Sequence, residues 1–164
     1  MSNVRKIVRE ELERVFTEIT GKSYSKVEYT GVMIEGEEAN RLENEFENRL
    51  LETGVDIPEG WKKPDDYHMT ITLGELSLSM KLAGAIGSEV GLEVNSIGIS
   101  DKAIAAGVAG LFSKNENQHI TMAFEDRPAD SNEITEWIPI KPFKVIGYVR
   151  EVDKIGGWGK LRQK

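Results

Sequence analysis

The chain's two histidines stand in matching surroundings. One lies in Tyr67-His68-Met69-Thr70-Ile71-Thr72-Leu73, the other in Gln118-His119-Ile120-Thr121-Met122-Ala123-Phe124. Residues i and i+2 share a face on a β-strand and do not on a helix. Each segment therefore reads as a strand with an apolar face (Met69 and Ile71; Ile120 and Met122) and a second face carrying His-x-Thr. A fold that accepts both must cover one side of each strand with core and leave the other side polar. Thr72 shares the His68 face one step further on, although strand propensity alone accounts for a threonine there.

The rest of the pattern fills in around these strands. Val4, Ile7, Val8, Leu12, Val15, Phe16 and Ile19 follow helical spacing over residues 3–20, with Gly21 as a stop. This predicts an N-terminal amphipathic helix, set apart as residues 1–22, that packs on the core or docks a partner. Residues 26–34 read as a strand. Residues 36–51 read as a helix with Ala39, Leu42, Phe46 and Leu50 inward and its carboxylates solvated. Gly54, Pro58, Gly60 and Pro64 mark a loop over 52–66. The first histidine strand spans 67–73, and residues 75–89 read as a loop with a short strand or helical turn. Strands at 90–99 and 102–109 form a hairpin through Ser100-Asp101. The second histidine strand spans 119–125. A short helix is expected from Asp130-Ser131 to near Trp137, then a last strand at 143–152. The tail, 154–164, is basic and Gly-rich. This order predicts an α+β domain over 23–153 with mostly antiparallel sheets.

Composition excludes several classes. The 164 residues suffice for one domain with a sizeable core. The net charge of −7 argues against a protein that grips long duplex nucleic acid. With no cysteine and two histidines there is no disulfide framework and little from which to build a zinc site. No apolar run reaches the ~20 residues needed to span a bilayer, so no membrane partner is expected. The opening residues do not read as a signal peptide, and a cytoplasmic location is expected.

Two imidazoles and two hydroxyls suit acid–base chemistry on a phosphate. Histidine serves as base or acid because its ordinary pKa lies near 6.5. Threonine hydroxyls can donate to non-bridging oxygens as negative charge builds there. A lone histidine on a strand would be unremarkable; the matched pair makes His68 and His119 the candidate catalytic residues, and Thr70 and Thr121 the candidate phosphate-binding ones. Trp61 and Tyr67 are candidates for stacking a base at a cleft, with packing as the plainer role. Lys62, Lys63 and Lys114 lie in adjoining loops and could meet a second phosphate, or be ordinary surface lysines.

The two His-x-Thr strands resemble those of the 2H phosphoesterase superfamily, the LigT-like group of RNA 2′,3′-cyclic phosphodiesterases and so-called 2′-5′ RNA ligases. The likeness extends to Val-Asn-Ser-Ile-Gly-Ile-Ser-Asp-Lys-Ala at 94–103 and Ile-Pro-Glu-Gly-Trp at 57–61, and covers residues 26–152. It implies a bilobal fold around a central cleft, with His68 and His119 catalytic, Thr70 and Thr121 on the phosphate, and no metal or other cofactor. The implied substrate is an RNA end or a small nucleotide carrying a 2′,3′-cyclic phosphate. The N-terminal helix departs from the family pattern. The opening Val-Arg-Lys-Ile-Val-Arg-Glu-Glu-Leu resembles the start of many phage-encoded proteins, which would place the protein in a host cytoplasm. Two rivals stay open: a phage enzyme that destroys cyclic oligonucleotide signals, and a nucleotide-binding module without turnover. An interaction protein built on the N-terminal helix is a further alternative. The residues do not decide which histidine is the acid and which the base.

Overall fold

The computed structural model describes residues 27–110 and 117–153. The expected N-terminal helix, the tail and Lys114 lie outside these residues. Strands β1 (Val27–Ile34), β2 (Tyr67–Leu73), β3 (Glu89–Ile99), β4 (Ala103–Ala109), β5 (His119–Phe124) and β6 (Glu136–Asp153) close a barrel in the order β1-β2-β5-β4-β3-β6. Every pairing among them is antiparallel. Helix α1 (Gly36–Thr53) crosses from β1 towards β2, and a single turn, α2 (Leu78–Leu82), follows β2. The mixed, mostly antiparallel α+β architecture agrees with the sequence pattern. The arrangement of strands is the new element: the sheet is continuous around the barrel, and its thinnest join is β2 to β5, through the single pair Met69↔Ile120.

Alternation places the core. Met69 and Ile71 of β2 and Ile120 and Met122 of β5 enter one cluster with Leu92, Val94 and Val145. Helix α1 lays Leu42, Phe46 and Leu50 on that cluster, a spacing of four that keeps them on one stripe. Burying each such side chain contributes roughly 1.5–3 kcal/mol relative to leaving it in water. Gly54 ends the helix at φ 75, where its own N–H and that of Val55 meet the free carbonyls of Leu51 and Leu50. The Arg49 guanidinium, 5.1 Å above the Phe143 ring, ties α1 to β6 and donates to the Lys141 carbonyl at 2.9 Å.

The segment 75–89, expected to be a loop with a short strand or helical turn, holds the helical turn, started by Ser77, whose hydroxyl accepts from the Met80 amide. Two boundaries differ from expectation. The expected helix near 130–137 is a 3-10 turn at Pro128–Glu133, and Trp137 belongs to β6. Strand β6 begins at Glu136, ahead of the expected start at 143, and runs through two prolines. Pro139 and Pro142 fall where the β3–β6 register jumps, from Val94↔Phe143 to Ser96↔Pro139, so the ladder does not need their missing donors. The hairpin at Ser100-Asp101 forms as expected, with the Ser100 hydroxyl accepting from the amides of Lys102 and Ala103. Among the described residues no helix is long and apolar enough to cross a membrane.

Candidate functional site

The face of β2 and β5 opposite the core carries His68, Thr70, His119 and Thr121. All four line one cavity of about 520 Å³. Its remaining wall comes from Glu28 and Tyr29 of β1, Pro64 and Asp66 before β2, and residues Asp126 to Ala129 with Ser131 and Asn132 after β5.

The two imidazoles are held differently. His68 lies under the Tyr29 ring, and the Tyr29 hydroxyl is 3.4 Å from its Nδ1. Burial pushes the His68 pKa down to about 4; the Asp66 carbonyl opposes the shift and the His119 charge adds to it. The His119 pKa is also lowered by burial, against the Asn117 carbonyl, which favours its cation. Both rings are therefore neutral at pH 7, as a base must be. Burial also raises the Tyr29 hydroxyl above the ordinary phenol range, with Asp66 and Glu28 adding to the effect, so it stays protonated and can donate. Asp66 is itself raised, first by burial and then by Asp65 and Glu35.

His119 has a fixed tautomer. Its Nδ1 lies 2.7 Å from the Asn117 carbonyl, which only accepts, so Nδ1 carries a proton. In the neutral ring Nε2 is then an acceptor, and it lies 3.1 Å from the Ser131 hydroxyl. The Ser131 oxygen also lies 2.6 Å from the Thr121 hydroxyl and 2.9 Å from the Pro128 carbonyl. Trp137 stands beside His119, with ring centroids 6.0 Å apart. The indole rests over Gly98 and Gly107, and a Cβ on Gly98 would overlap it.

Tyr67 and Trp61 do not join this site. Tyr67 is an even step from Met69, so it points into the core, where its hydroxyl donates to Glu43 of α1 at 2.6 Å. Trp61 packs against the edge of the same core. Neither is positioned to stack a base in the cavity. Lys63 pairs with Glu43 at 3.2 Å, and Lys62 exchanges backbone hydrogen bonds with Phe124. Among the described residues, the cation on the cavity wall is Arg127, held by Asp130 at 2.7 Å.

Tyr29, Arg127, Ser131 and Asn132 are among the cavity residues that no sequence motif marks. The available signal was the Asp130-Ser131-Asn132 stretch soon after the second motif, which reads as a helix cap on sequence alone. Among the described residues no group of three or more His, Cys, Asp or Glu side chains could hold a metal ion. No family model matches the chain, and no curated protein is significantly similar to it.

Proposed function

We propose that the protein is a phosphoesterase of the two-histidine type, acting on a nucleotide 2′,3′-cyclic phosphate at an RNA end or on a small nucleotide. The observation that carries this reading is the meeting of both His-x-Thr pairs in one cavity, with both imidazoles neutral and both threonines on its wall. The resemblance of the two His-x-Thr strands to those of 2H phosphoesterases supports it.

The chemistry follows from the groups. One imidazole takes a proton from water as the water oxygen bonds to phosphorus. The bond from phosphorus to one ribose oxygen breaks, and the other histidine, as imidazolium, protonates that oxygen. The base ends protonated and the acid neutral, so one proton must return between turnovers. An anionic phosphate in the cavity raises the pKa of both imidazoles and so supplies the acid form that the free protein lacks. Thr70 and Thr121 hydroxyls would donate to the non-bridging oxygens. Among the described residues, Glu28, Asp66 and Asp126 line the cavity with Arg127 against them. That balance favours a singly charged diester over a doubly charged monoester, and so favours release of the product.

The test is turnover, with EDTA present, on nucleoside 2′,3′-cyclic phosphates, an RNA cyclic-phosphate end, 2′-5′ oligoadenylate and cyclic oligonucleotides. Loss of at least about a hundredfold in His68→Ala and in His119→Ala is expected. Undiminished turnover in both variants would overturn the mechanism. Preference for cyclic oligonucleotides would instead make the protein a signal-destroying enzyme. Tight binding without product would make it a nucleotide-binding module.

A further inference from the structure

We propose that Ser131 is the positioning residue that lets His119 gain and lose its proton without moving. This deepens the acid–base reading of the cavity and rests on it for its functional meaning. The argument is a count of protons. The Ser131 oxygen has one hydrogen and two lone pairs. It lies within bonding distance of His119 Nε2 (3.1 Å), Thr121 Oγ1 (2.6 Å) and the Pro128 carbonyl (2.9 Å).

When His119 is neutral, its Nδ1 proton is committed to Asn117 and Nε2 is bare. Ser131 then donates to Nε2 and accepts from the Thr121 hydroxyl. When His119 is protonated, Nε2 donates to Ser131 instead. The serine hydrogen swings to the Pro128 carbonyl, or to Thr121 Oγ1. In the second case the Thr121 hydrogen is released towards the cavity. Rotation of one hydrogen thus satisfies both charge states, and no heavy atom moves. Where the serine hydrogen turns to Thr121 Oγ1, the charge on His119 also sets the direction in which Thr121 donates, and the cation frees that hydroxyl for an anion.

Ser131 is 2% exposed, so water does not take its place in the free protein. The titratable groups sharing the cavity wall are Glu28, Tyr29, Asp66, His68, Asp126 and Arg127. Asp130, on the same 3-10 turn as Ser131, is paired with Arg127. These groups set a common background that a change at Ser131 leaves in place.

The experiment is an NMR titration of both imidazoles in the full chain, for wild type, Ser131→Ala, Ser131→Cys and Ser131→Thr. The hydrogen bond from a cationic ring to Ser131 is the stronger of the two it alternates between. Its loss in Ser131→Ala is expected to lower the proton affinity of His119 roughly tenfold, with His68 moving less and only through the altered charge on His119. Ser131→Cys, which keeps most of the volume with a weak donor and acceptor, should behave like alanine even if the alanine variant does not fold. Ser131→Thr, which keeps the hydroxyl, should restore the wild-type value. In turnover, kcat should fall about 10- to 100-fold with KM little changed. An unaltered His119 titration in the cysteine variant would overturn the proposal. Absence of turnover on every substrate, with the titration shifted as expected, would overturn the phosphoesterase reading alone.

Discussion

The Tyr29 ring stacks on the His68 imidazole, with centroids 4.6 Å apart and an angle of 28° between planes. A residue of β1 therefore sets the environment of a residue of β2, and burial is the main cause of the depressed His68 pKa. Tyr29→Ala should open the imidazole to water and return its titration towards the ordinary value near 6.5. Removing a buried aromatic should also cost about 3–5 kcal/mol of stability. Tyr29→Phe keeps the stack and loses the hydroxyl, so the His68 titration should stay low. An NMR titration of His68 in both variants separates stacking from hydrogen bonding.

The same shift makes stability depend on pH. His68 has a lower pKa folded than unfolded, so the unfolded chain binds its proton first as pH falls. The contribution is complete above pH 6.5 and is lost progressively down to about 4, the folded value. His119, also lowered, acts in the same sense and starts from the same upper limit. Denaturant unfolding across this window should show a slope that becomes shallower in His68→Gln. An equal slope in the variant would assign the pH dependence to carboxylates.

On the proposed mechanism, kcat/KM reports the free protein with one imidazole charged and one neutral. Both imidazoles titrate below 6.5, so the optimum of kcat/KM should fall on the acid side of 6.5 and decline towards neutral pH. The kcat optimum should lie higher, because bound phosphate raises both values. A pH–rate profile with a coincident optimum for the two constants would argue against that electrostatic coupling.

Gly98 is the floor under the Trp137 indole. Gly98→Ala should drive the ring off its seat and cost about 1–3 kcal/mol by overpacking. Because the indole abuts His119, turnover should fall as well. Thermal unfolding and kcat measured on the same preparation check this. Gly91→Ala, where an added Cβ meets nothing within 4 Å, serves as the control.

The two histidine strands were legible because strand alternation is local: His68 and Thr70, like His119 and Thr121, had to share a face once the segments were strands. Tyr67 failed as a site residue for the same reason, since its odd step from His68 turns it into the core beside Glu43. Tyr29 could not be read, because β1 is buried on both faces near its bulge at Thr30/Gly31 and its alternation names no outward side. Ser131 sits on a 3-10 turn ten residues after Thr121, and no periodicity carries that contact. The first part of β6 was hidden by Pro139 and Pro142, whose place is secured by a register jump in a partner strand. Barrel closure depends on which strands become neighbours, and β2 meeting β5 is written in neither segment.

The single pair Met69↔Ile120 is the only ladder rung between the strands that bear the two imidazoles. One rung cannot act as a ruler. The separation of His68 and His119 across this join therefore leans on core packing, where Met69 and Ile120 are both fully buried in one cluster. Trimming either buried side chain should shift the two imidazoles relative to one another while leaving every group in the cavity chemically unchanged.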